Sequence, residues 1–136
     1  MRLLDDFCHA SDVVTGVATD PATAGGTAGG GGPATLTAAL TFNAGHRIFE
    51  GHFPGQPVVP GVCMMQLVRE LVETYLLRGK ARVTQADNLK FLTMIDPRES
   101  PTVRAEVKYE ENGKVVARFF NETTTFFKMN AVVTAI

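Results

Sequence analysis

The chain has 136 residues, the size of one ordinary domain, and 45% of them are hydrophobic and 20% charged. This balance is typical of a globular protein and excludes wholesale disorder. Lysine and arginine together number 13, and aspartate and glutamate 14, giving a net charge of -1. That charge argues against a protein that wraps nucleic acid or coats an anionic membrane through bulk charge.

Several features that the sequence lacks restrict the class of protein further. The two cysteines, Cys8 and Cys63, are too few for a disulfide framework and do not form a CxxC pair. No apolar run approaches the ~20 residues that span a bilayer, and no long apolar stretch opens the chain. His9 and His46 lack carboxylate or cysteine neighbours at metal-ligand spacing. We therefore expect one cytoplasmic domain over 1–136, with no metal, no bound cofactor and no nucleic-acid or membrane partner.

The first third of the chain predicts two strands around a glycine-rich loop. The strands are Val13–Thr19 and Ala34–Phe42, and the second alternates apolar and small polar residues as a half-buried strand does. Between them, the uncharged run Pro21–Pro33 includes six glycines from Gly25 to Gly32, which predicts a flexible connection. A phosphate-binding loop is disfavoured, because no Gly-Lys-Ser/Thr follows.

A helix is predicted from Pro60–Gly61 to about Arg78, with Gly79 as its C-terminal cap. Apolar residues repeat at helical spacing on one side: Met64, Met65, Val68, Leu71, Val72 and Tyr75. Polar residues three or four apart occupy the other: Gln66, Arg69, Glu70 and Glu73.

The remainder predicts antiparallel strands. Alternation marks Leu89–Ile95, stopped by Pro97, and Val103–Tyr109, with one face buried. Asn112–Gly113 is a strong hairpin signal, followed by strands at 115–127 and about 128–136. One long helix with about six mostly antiparallel strands predicts an α+β fold in which the helix packs on a curved sheet.

The stretch Gly51-His-Phe-Pro-Gly-Gln-Pro-Val-Val-Pro-Gly-Val62 has the strongest chemical signal. Its prolines restrict φ repeatedly, so they hold His52 in place, and the loop leads into a helix N-terminus. The free N–H groups of Gly61 and Val62 can polarise a carbonyl oxygen, and a glycine allows close approach to the backbone. A histidine near such donors suits proton abstraction α to a thioester carbonyl.

This motif resembles the active-site motif of the 3-hydroxyacyl-acyl-carrier-protein dehydratases over residues 51–62, with weaker similarity along the rest of the chain. The resemblance implies a hot-dog fold, in which a strongly curved antiparallel sheet wraps a central helix. It also implies a dimer whose two active sites lie at the subunit interface. The implied substrates are acyl chains on the phosphopantetheine arm of an acyl carrier protein.

By the same resemblance, His52 matches the catalytic base, and Gly61 and Val62 match the backbone donors to the thioester carbonyl. The structural prolines correspond to Pro54, Pro57 and Pro60. Phe53, Met64 and Met65 are expected to line the core or the acyl tunnel. Cys63 is interpreted as a packed helix residue, because no base accompanies it, although the helix dipole would favour a thiolate there.

The chain departs from the family pattern at the second catalytic residue. The resemblance implies a glutamate or aspartate fourteen residues after the histidine, where this chain has Gln66. An amide can hydrogen-bond a hydroxyl but cannot protonate it, and losing an acid–base partner typically costs ~10²–10⁴-fold in rate. Glu70 lies one turn further, about 6 Å along the axis, where relatives carry glutamine. Glu70 either replaces the acid through a bridging water or is a solvated or salt-bridged residue beside Arg69 and Glu73.

Two functions follow from this resemblance. The first is a dehydratase of fatty acid or related synthesis, with His52 as base and Gln66 or Glu70 as hydroxyl partner. The second is a catalytically impaired subunit that pairs with a related, carboxylate-bearing chain, or that binds acyl carrier protein without turnover. A thioesterase ranks last, because only Glu70 could activate water. For the acidic carrier we expect a basic rim, with candidates Arg47, Arg69, Arg78, Lys80, Arg82 and Lys90.

Overall fold

The computed structural model describes residues 2–17, 34–51 and 55–136. Within these ranges six strands form one sheet in the order β1-β2-β4-β5-β6-β3, and every neighbouring pair is antiparallel. The strands are β1 (Cys8–Val17), β2 (Ala34–Phe42), β3 (Ala81–Phe91), β4 (Thr102–Tyr109), β5 (Lys114–Phe120) and β6 (Thr125–Ala135). The predicted α+β arrangement is confirmed, and β1 and β3 are the edge strands of the sheet.

The predicted long helix is also confirmed. A short helix α1 (Ile48–Gly51), which was not predicted, precedes α2 (Gly61–Leu71), and a π-helical segment (Val72–Leu77) continues α2. We refer to Gly61–Leu77 as the central helix. None of the helices in the described ranges is long and apolar enough to cross a bilayer.

The predicted C-terminal cap of the central helix is wrong by one residue. Arg78, with φ of 54°, adopts the left-handed conformation that we expected of Gly79. The N–H groups of Arg78 and Gly79 both donate to the Glu73 carbonyl, so the π-helical turn already ends at Arg78. Glycine is the usual residue there because it adopts this conformation without strain, and sequence reasoning followed that preference.

The core lies between the central helix and one face of the sheet. Leu67, Val68 and Leu71 of the helix are fully buried. Alternate residues of β4 are buried and exposed as predicted, with the apolar ones directed to the core. Of the four phenylalanines in β5 and β6, Phe119, Phe126 and Phe127 are buried. Phe120 is half-buried, with the Arg118 guanidinium 4.0 Å from its ring centroid.

The boundaries of β1 and β3 differ from the prediction. β1 begins at Cys8, five residues before the expected start, and contains a bulge between Ser11 and Val14. β3 runs over Ala81–Phe91 rather than Leu89–Ile95. It is an edge strand exposed at most positions, so its first half needs no apolar alternation. The ladder ends after Phe91, where the N–H groups of Leu92 and Thr93 both donate to the Phe126 carbonyl.

The strand predicted over 115–127 is interrupted. The Asn121 side chain accepts hydrogen bonds from the N–H groups of Thr123 and Thr124, at 3.0 and 2.8 Å, and this turn separates β5 from β6. The Asn112–Gly113 hairpin is confirmed, with Gly113 at φ of 89°. The glycine-rich stretch predicted as a flexible loop, 21–33, lies outside the described residues, although the strands on either side pair as predicted.

Candidate active site

The predicted base lies outside the described residues. His52 lies outside the described residues together with Phe53 and Pro54, so the roles of these three residues stay predictions. The described part of the motif resumes at Gly55, whose φ of 77° is a left-handed conformation that favours glycine.

His46 anchors the chain just before the motif. Its ring is buried, its Nδ1 accepts the Ile48 N–H at 3.1 Å, and its Nε2 lies 3.0 Å from Asp6 Oδ2. Because Nδ1 is an acceptor here, the hydrogen-bond network assigns the proton to Nε2, which donates to Asp6. The Phe7 ring contacts both the His46 ring edge-on and the Phe49 ring in a stack, at 5.3 and 5.1 Å. These contacts fix the start of α1. Among the described residues no group of His, Cys, Asp or Glu side chains could hold a metal ion.

The last part of the motif is held in place where it enters the central helix. The Val59 N–H donates to the Ile95 carbonyl at 2.9 Å. The carbonyl oxygen of the buried Pro60 accepts the N–H groups of Cys63 and Met64. Gly61 and Val62 are the first helical residues, whose N–H groups have no acceptor within a helix. With the positive end of the helix dipole, this arrangement can hold a carbonyl oxygen or an oxyanion.

Exposed apolar side chains surround this helix end. Val62 is 72% exposed, and Phe91, Leu92 and Met94 are 52–70% exposed. The Phe91 ring lies against Gly61, where an added Cβ would be 2.7 Å from its Cε1, and it stacks on Phe127 at 5.2 Å. We call Val62, Phe91, Leu92 and Met94 the apolar patch. Of these only Val62 was predicted as a site residue, because the run 89–95 was interpreted as one regular strand.

Glu70 is buried and forms no ion pair with any residue that the structure describes, so the expectation of a solvated or salt-bridged Glu70 is wrong. It is 2% exposed, and its carboxylate accepts the N–H groups of Leu3 and Leu4 at 2.9–3.0 Å. The Gln66 amide donates to the same carboxylate at 2.8 Å. Arg69 pairs instead with Glu73, at 2.9 Å. The long-range packing of the N-terminal segment, 67 residues away in sequence, determines this burial.

Cys63 is confirmed as a packed residue. It belongs to the buried core, and burial, followed by the nearby Glu70 charge, raises the pKa of its thiol. The raised pKa opposes the thiolate that the helix dipole alone would favour. Of the predicted tunnel residues, Met64 is buried and Met65 is half-buried on the central helix.

Three of the six candidate basic residues lie together. Arg69, Arg78 and Lys80 line a groove of about 570 Å³ with Arg2, beside the C-terminal half of the central helix. Lys90 instead lines a separate groove on the sheet. Arg47 and Arg82 are exposed elsewhere.

Comparison with known proteins identifies the family. The family model described as ApeI-like, ApeI dehydratase, matches residues 31–130. The chain belongs to this dehydratase family. It is 30% identical over 93 residues to the 3-hydroxyacyl-[acyl-carrier-protein] dehydratase FabZ of Rhizorhabdus wittichii, covering 62% of this chain and 57% of that protein. Against the FabZ of Clostridium acetobutylicum it is 34% identical over 74 residues, covering 50% of this chain and 51% of that protein. The chain thus spans little more than half the length of these relatives.

Solved structures confirm the hot-dog fold of this family member. The dehydratase heterocomplex ApeI:P from Xenorhabdus doucetiae matches with a TM-score of 0.63 at 21% identity, covering 73% of this chain and 86% of that one. An uncharacterized protein from Erwinia carotovora subsp. atroseptica matches with a TM-score of 0.64 at 22% identity, covering 94% of both chains.

Proposed function

We propose that this chain is one subunit of a hetero-oligomeric dehydratase that acts on 3-hydroxyacyl thioesters. It contributes His52 as base, the N–H groups of Gly61 and Val62 as carbonyl donors, and part of the acyl-binding surface. A related hot-dog chain contributes the carboxylate that position 66 lacks. The observation that carries this proposal is the commitment of Glu70 to the N-terminal segment of its own chain.

A general acid must reach the hydroxyl that departs from the substrate. The Glu70 carboxylate is 2% exposed, and both of its oxygens accept N–H groups. Releasing it would leave buried backbone donors unsatisfied, at roughly 1–3 kcal/mol for each group. Gln66 can only hydrogen-bond the hydroxyl, so an acid from another chain is the simplest source of the proton.

Two surfaces support pairing with a related chain. β3 is an edge strand with only β6 beside it among the described residues, and its stretch 84–88 is exposed. Unpaired strand edges readily add a further strand. The apolar patch begins at Phe91, the last residue of β3, and continues this surface to Val62 at the start of the central helix. The ApeI:P structure, which shares the fold, is a dehydratase heterocomplex.

The names of the FabZ relatives support an acyl carrier protein as the carrier of the substrate. The cofactor in that case is the phosphopantetheine of the carrier, and this chain brings none of its own. We assign the acidic surface of the carrier to the groove of Arg2, Arg69, Arg78 and Lys80, which lies along the same helix as Gly61 and Gln66.

In the proposed reaction His52 removes the proton α to the thioester carbonyl, whose developing negative charge is stabilised by the N–H groups of Gly61 and Val62. The electron pair of the broken C–H bond forms the α–β double bond as the β-carbon–oxygen bond breaks. The leaving oxygen takes a proton from the partner's carboxylic acid and departs as water. The products are a 2-enoyl thioester and one water molecule.

The alternative is a homodimeric dehydratase in which Glu70 acts as the acid. The 2.8 Å hydrogen bond from Gln66 to Glu70 favours it, since it links the carboxylate to the expected acid position. A thioesterase is less well supported, because the water-activating carboxylate would again be the buried Glu70.

Turnover of a 3-hydroxyacyl-carrier-protein substrate separates these functions. We expect negligible activity for the chain alone and a gain of at least tenfold in Gln66→Glu. The double variant Gln66→Glu/Glu70→Gln places the acid at position 66 and the amide at position 70. It therefore keeps one amide-to-carboxylate hydrogen bond between the two positions. Adding His52→Ala to either variant should abolish the gain.

Mixing the wild-type chain with a carboxylate-bearing hot-dog dehydratase whose own histidine is replaced by alanine tests the pairing directly. Activity of this mixture, with neither chain active alone, is the expected result. Activity of the wild-type homodimer that is lost in a folded Glu70→Gln variant would overturn the proposal in favour of the alternative.

A further inference from the structure

The sheet face opposite the central helix has a groove that the proposed function does not use. Its volume is about 620 Å³. Four cations and one carboxylate line it: Lys90, Lys108, Arg118, Lys128 and Glu106. The whole chain has 13 basic and 14 acidic residues, so this groove concentrates positive charge well above the average. We call it the sheet groove.

Strand register aligns these charges. Glu106 of β4 pairs with Arg118 of β5, Arg118 with Lys128 of β6, and Lys128 with Lys90 of β3. Lys108 lies in the adjacent row, where it pairs with Val116. Neighbouring strands are about 4.8 Å apart, so the backbones of the three consecutive cations span only about 10 Å.

This row is electrostatically unfavourable in the isolated chain. Like charges directly opposite each other on adjacent strands are destabilising. Arg118 is partly relieved by an ion pair with Glu106 at 3.3 Å. Lys90, Lys108 and Lys128 form no ion pair with any carboxylate in the part of the chain that the structure describes. A bound anion would offset the repulsion, whereas two copies of this face would repel each other.

We propose that the sheet groove binds a soluble small molecule that carries two or more linked phosphate groups. The volume falls within the ~300–1,000 Å³ of small-molecule pockets. The cation spacing of about 4.8 Å suits a compact polyphosphate better than an extended acidic peptide, whose same-face side chains repeat every ~6.8 Å. Thr37, Asn88 and Asn130 line the same groove and supply neutral donors for phosphate oxygens.

Arg118 is the best-positioned of the four cations. Its guanidinium lies 4.0 Å from the centroid of the Phe120 ring and 3.3 Å from Glu106, and these contacts restrict its orientation. A guanidinium held in this way can offer two parallel N–H groups to one phosphate. We expect Arg118 to orient the ligand and the lysines to provide most of the attraction.

Calorimetric titration of the full chain with sodium tripolyphosphate tests the inference. We expect one site whose affinity falls at least tenfold in Lys128→Glu and in Arg118→Gln. Lys114→Glu, which makes the same charge change as Lys128→Glu at an exposed residue that lines neither groove, should leave the affinity within twofold. An unchanged urea midpoint checks that each variant remains folded.

Four results would overturn the inference. The first is no binding to the wild-type chain. The second is an equal loss of affinity in Lys114→Glu and Lys128→Glu, which would indicate a response to net charge alone, and the third is equally tight binding of hexaglutamate. Binding to vesicles containing phosphatidylinositol bisphosphate, without binding to tripolyphosphate, would assign the phosphates to a lipid instead. None of these readouts depends on dehydratase activity, so failure here leaves the proposed function unaffected.

Discussion

At its N-terminal end the central helix begins among exposed apolar side chains, whereas its C-terminal half is held by the carboxylates of the buried Glu70 and the half-buried Glu73. Val62 is 72% exposed at the first end, while Glu70 is 2% exposed at the second and holds the backbone of Leu3 and Leu4. Glu73 similarly accepts the Ala81 N–H, at 2.7 Å, and so ties the start of β3 to the helix.

This difference bears on the predicted departure from the dehydratase pattern. Gly61 and Val62, the predicted carbonyl donors, begin the helix beside the exposed side chains of the apolar patch. The predicted exchange of acid and amide at 66 and 70 concerns a carboxylate, that of Glu70, which binds the backbone of Leu3 and Leu4. The two halves therefore respond differently to substitution.

The largest effect is expected for Glu70→Leu. This change removes the acceptor of Leu3, Leu4 and Gln66 and should lower the free energy of unfolding by roughly 3–5 kcal/mol, as measured in urea. Amide hydrogen exchange at Leu3 and Leu4 should accelerate in parallel. The exposed Glu99 provides the control, because Glu99→Gln should change stability by no more than about 0.5 kcal/mol. If Glu70→Leu lowered the free energy of unfolding by less than about 1 kcal/mol, the Glu70 carboxylate would not stabilise the C-terminal half of the helix in the way proposed.

A smaller effect is expected for His46→Ala, which tests the anchor before the motif. The change leaves the Ile48 N–H without its acceptor and removes a buried ring, so stability should fall by about 2 kcal/mol. His9→Ala is the matched control, since the His9 side chain is 69% exposed in its pair with Asp5. Equal losses in the two variants would contradict an anchoring role for His46.

Alkaline pH should lower the stability of the folded chain through the Cys8 thiol. Burial, followed by the charges of Glu70 and Asp5, raises the pKa of the Cys8 thiol from 9.0 to about 12. The neutral thiol is thus favoured in the folded state. Its contribution to stability is complete below pH 9 and is lost as the pH rises from 9 towards 12. At pH 10 the loss should be about 1.4 kcal/mol.

Urea unfolding of wild type and Cys8→Ala between pH 8 and 10 isolates this contribution. Subtraction of the two pH profiles removes the titration of the lysines and tyrosines that the proteins share. Parallel profiles would show that the Cys8 thiol titrates alike in the folded and unfolded chains.

The smallest effect is expected for Gly61→Ala at the open end of the helix. The new Cβ would meet the edge of the Phe91 ring at 2.7 Å, but that ring is 53% exposed and can turn away. A gain in helix propensity offsets part of the cost, so stability should change by about 0.5 kcal/mol or less. Gly113→Ala is the contrasting control. Its φ of 89° is strained for alanine, and an added Cβ would lie 2.6 Å from the rigid Val133 carbonyl oxygen, so stability should fall by about 2 kcal/mol. A cost above 2 kcal/mol for Gly61→Ala would show that Phe91 is fixed.

Much of the fold was predictable because its signals are local. The central helix and β4 follow from apolar periodicity, and the hairpin at Asn112–Gly113 follows from turn chemistry. The turn at Asn121 was missed because Asn-Glu-Thr-Thr resembles the polar positions of an ordinary strand. β3 was only partly predicted, since an edge strand exposed on both faces has no apolar alternation to detect.

The sequence by itself determined the family and the location of the candidate site, because the histidine–proline–glycine motif and its distance to the helix are contiguous in the chain. It also predicted, through the family resemblance, an exchange of acid and amide at Gln66 and Glu70. Only the tertiary structure decided that Glu70 is buried, since its partners lie 67 residues away. Strand register likewise decided that Arg118, Lys128 and Lys90 form one row, because pairing across strands depends on the whole sheet.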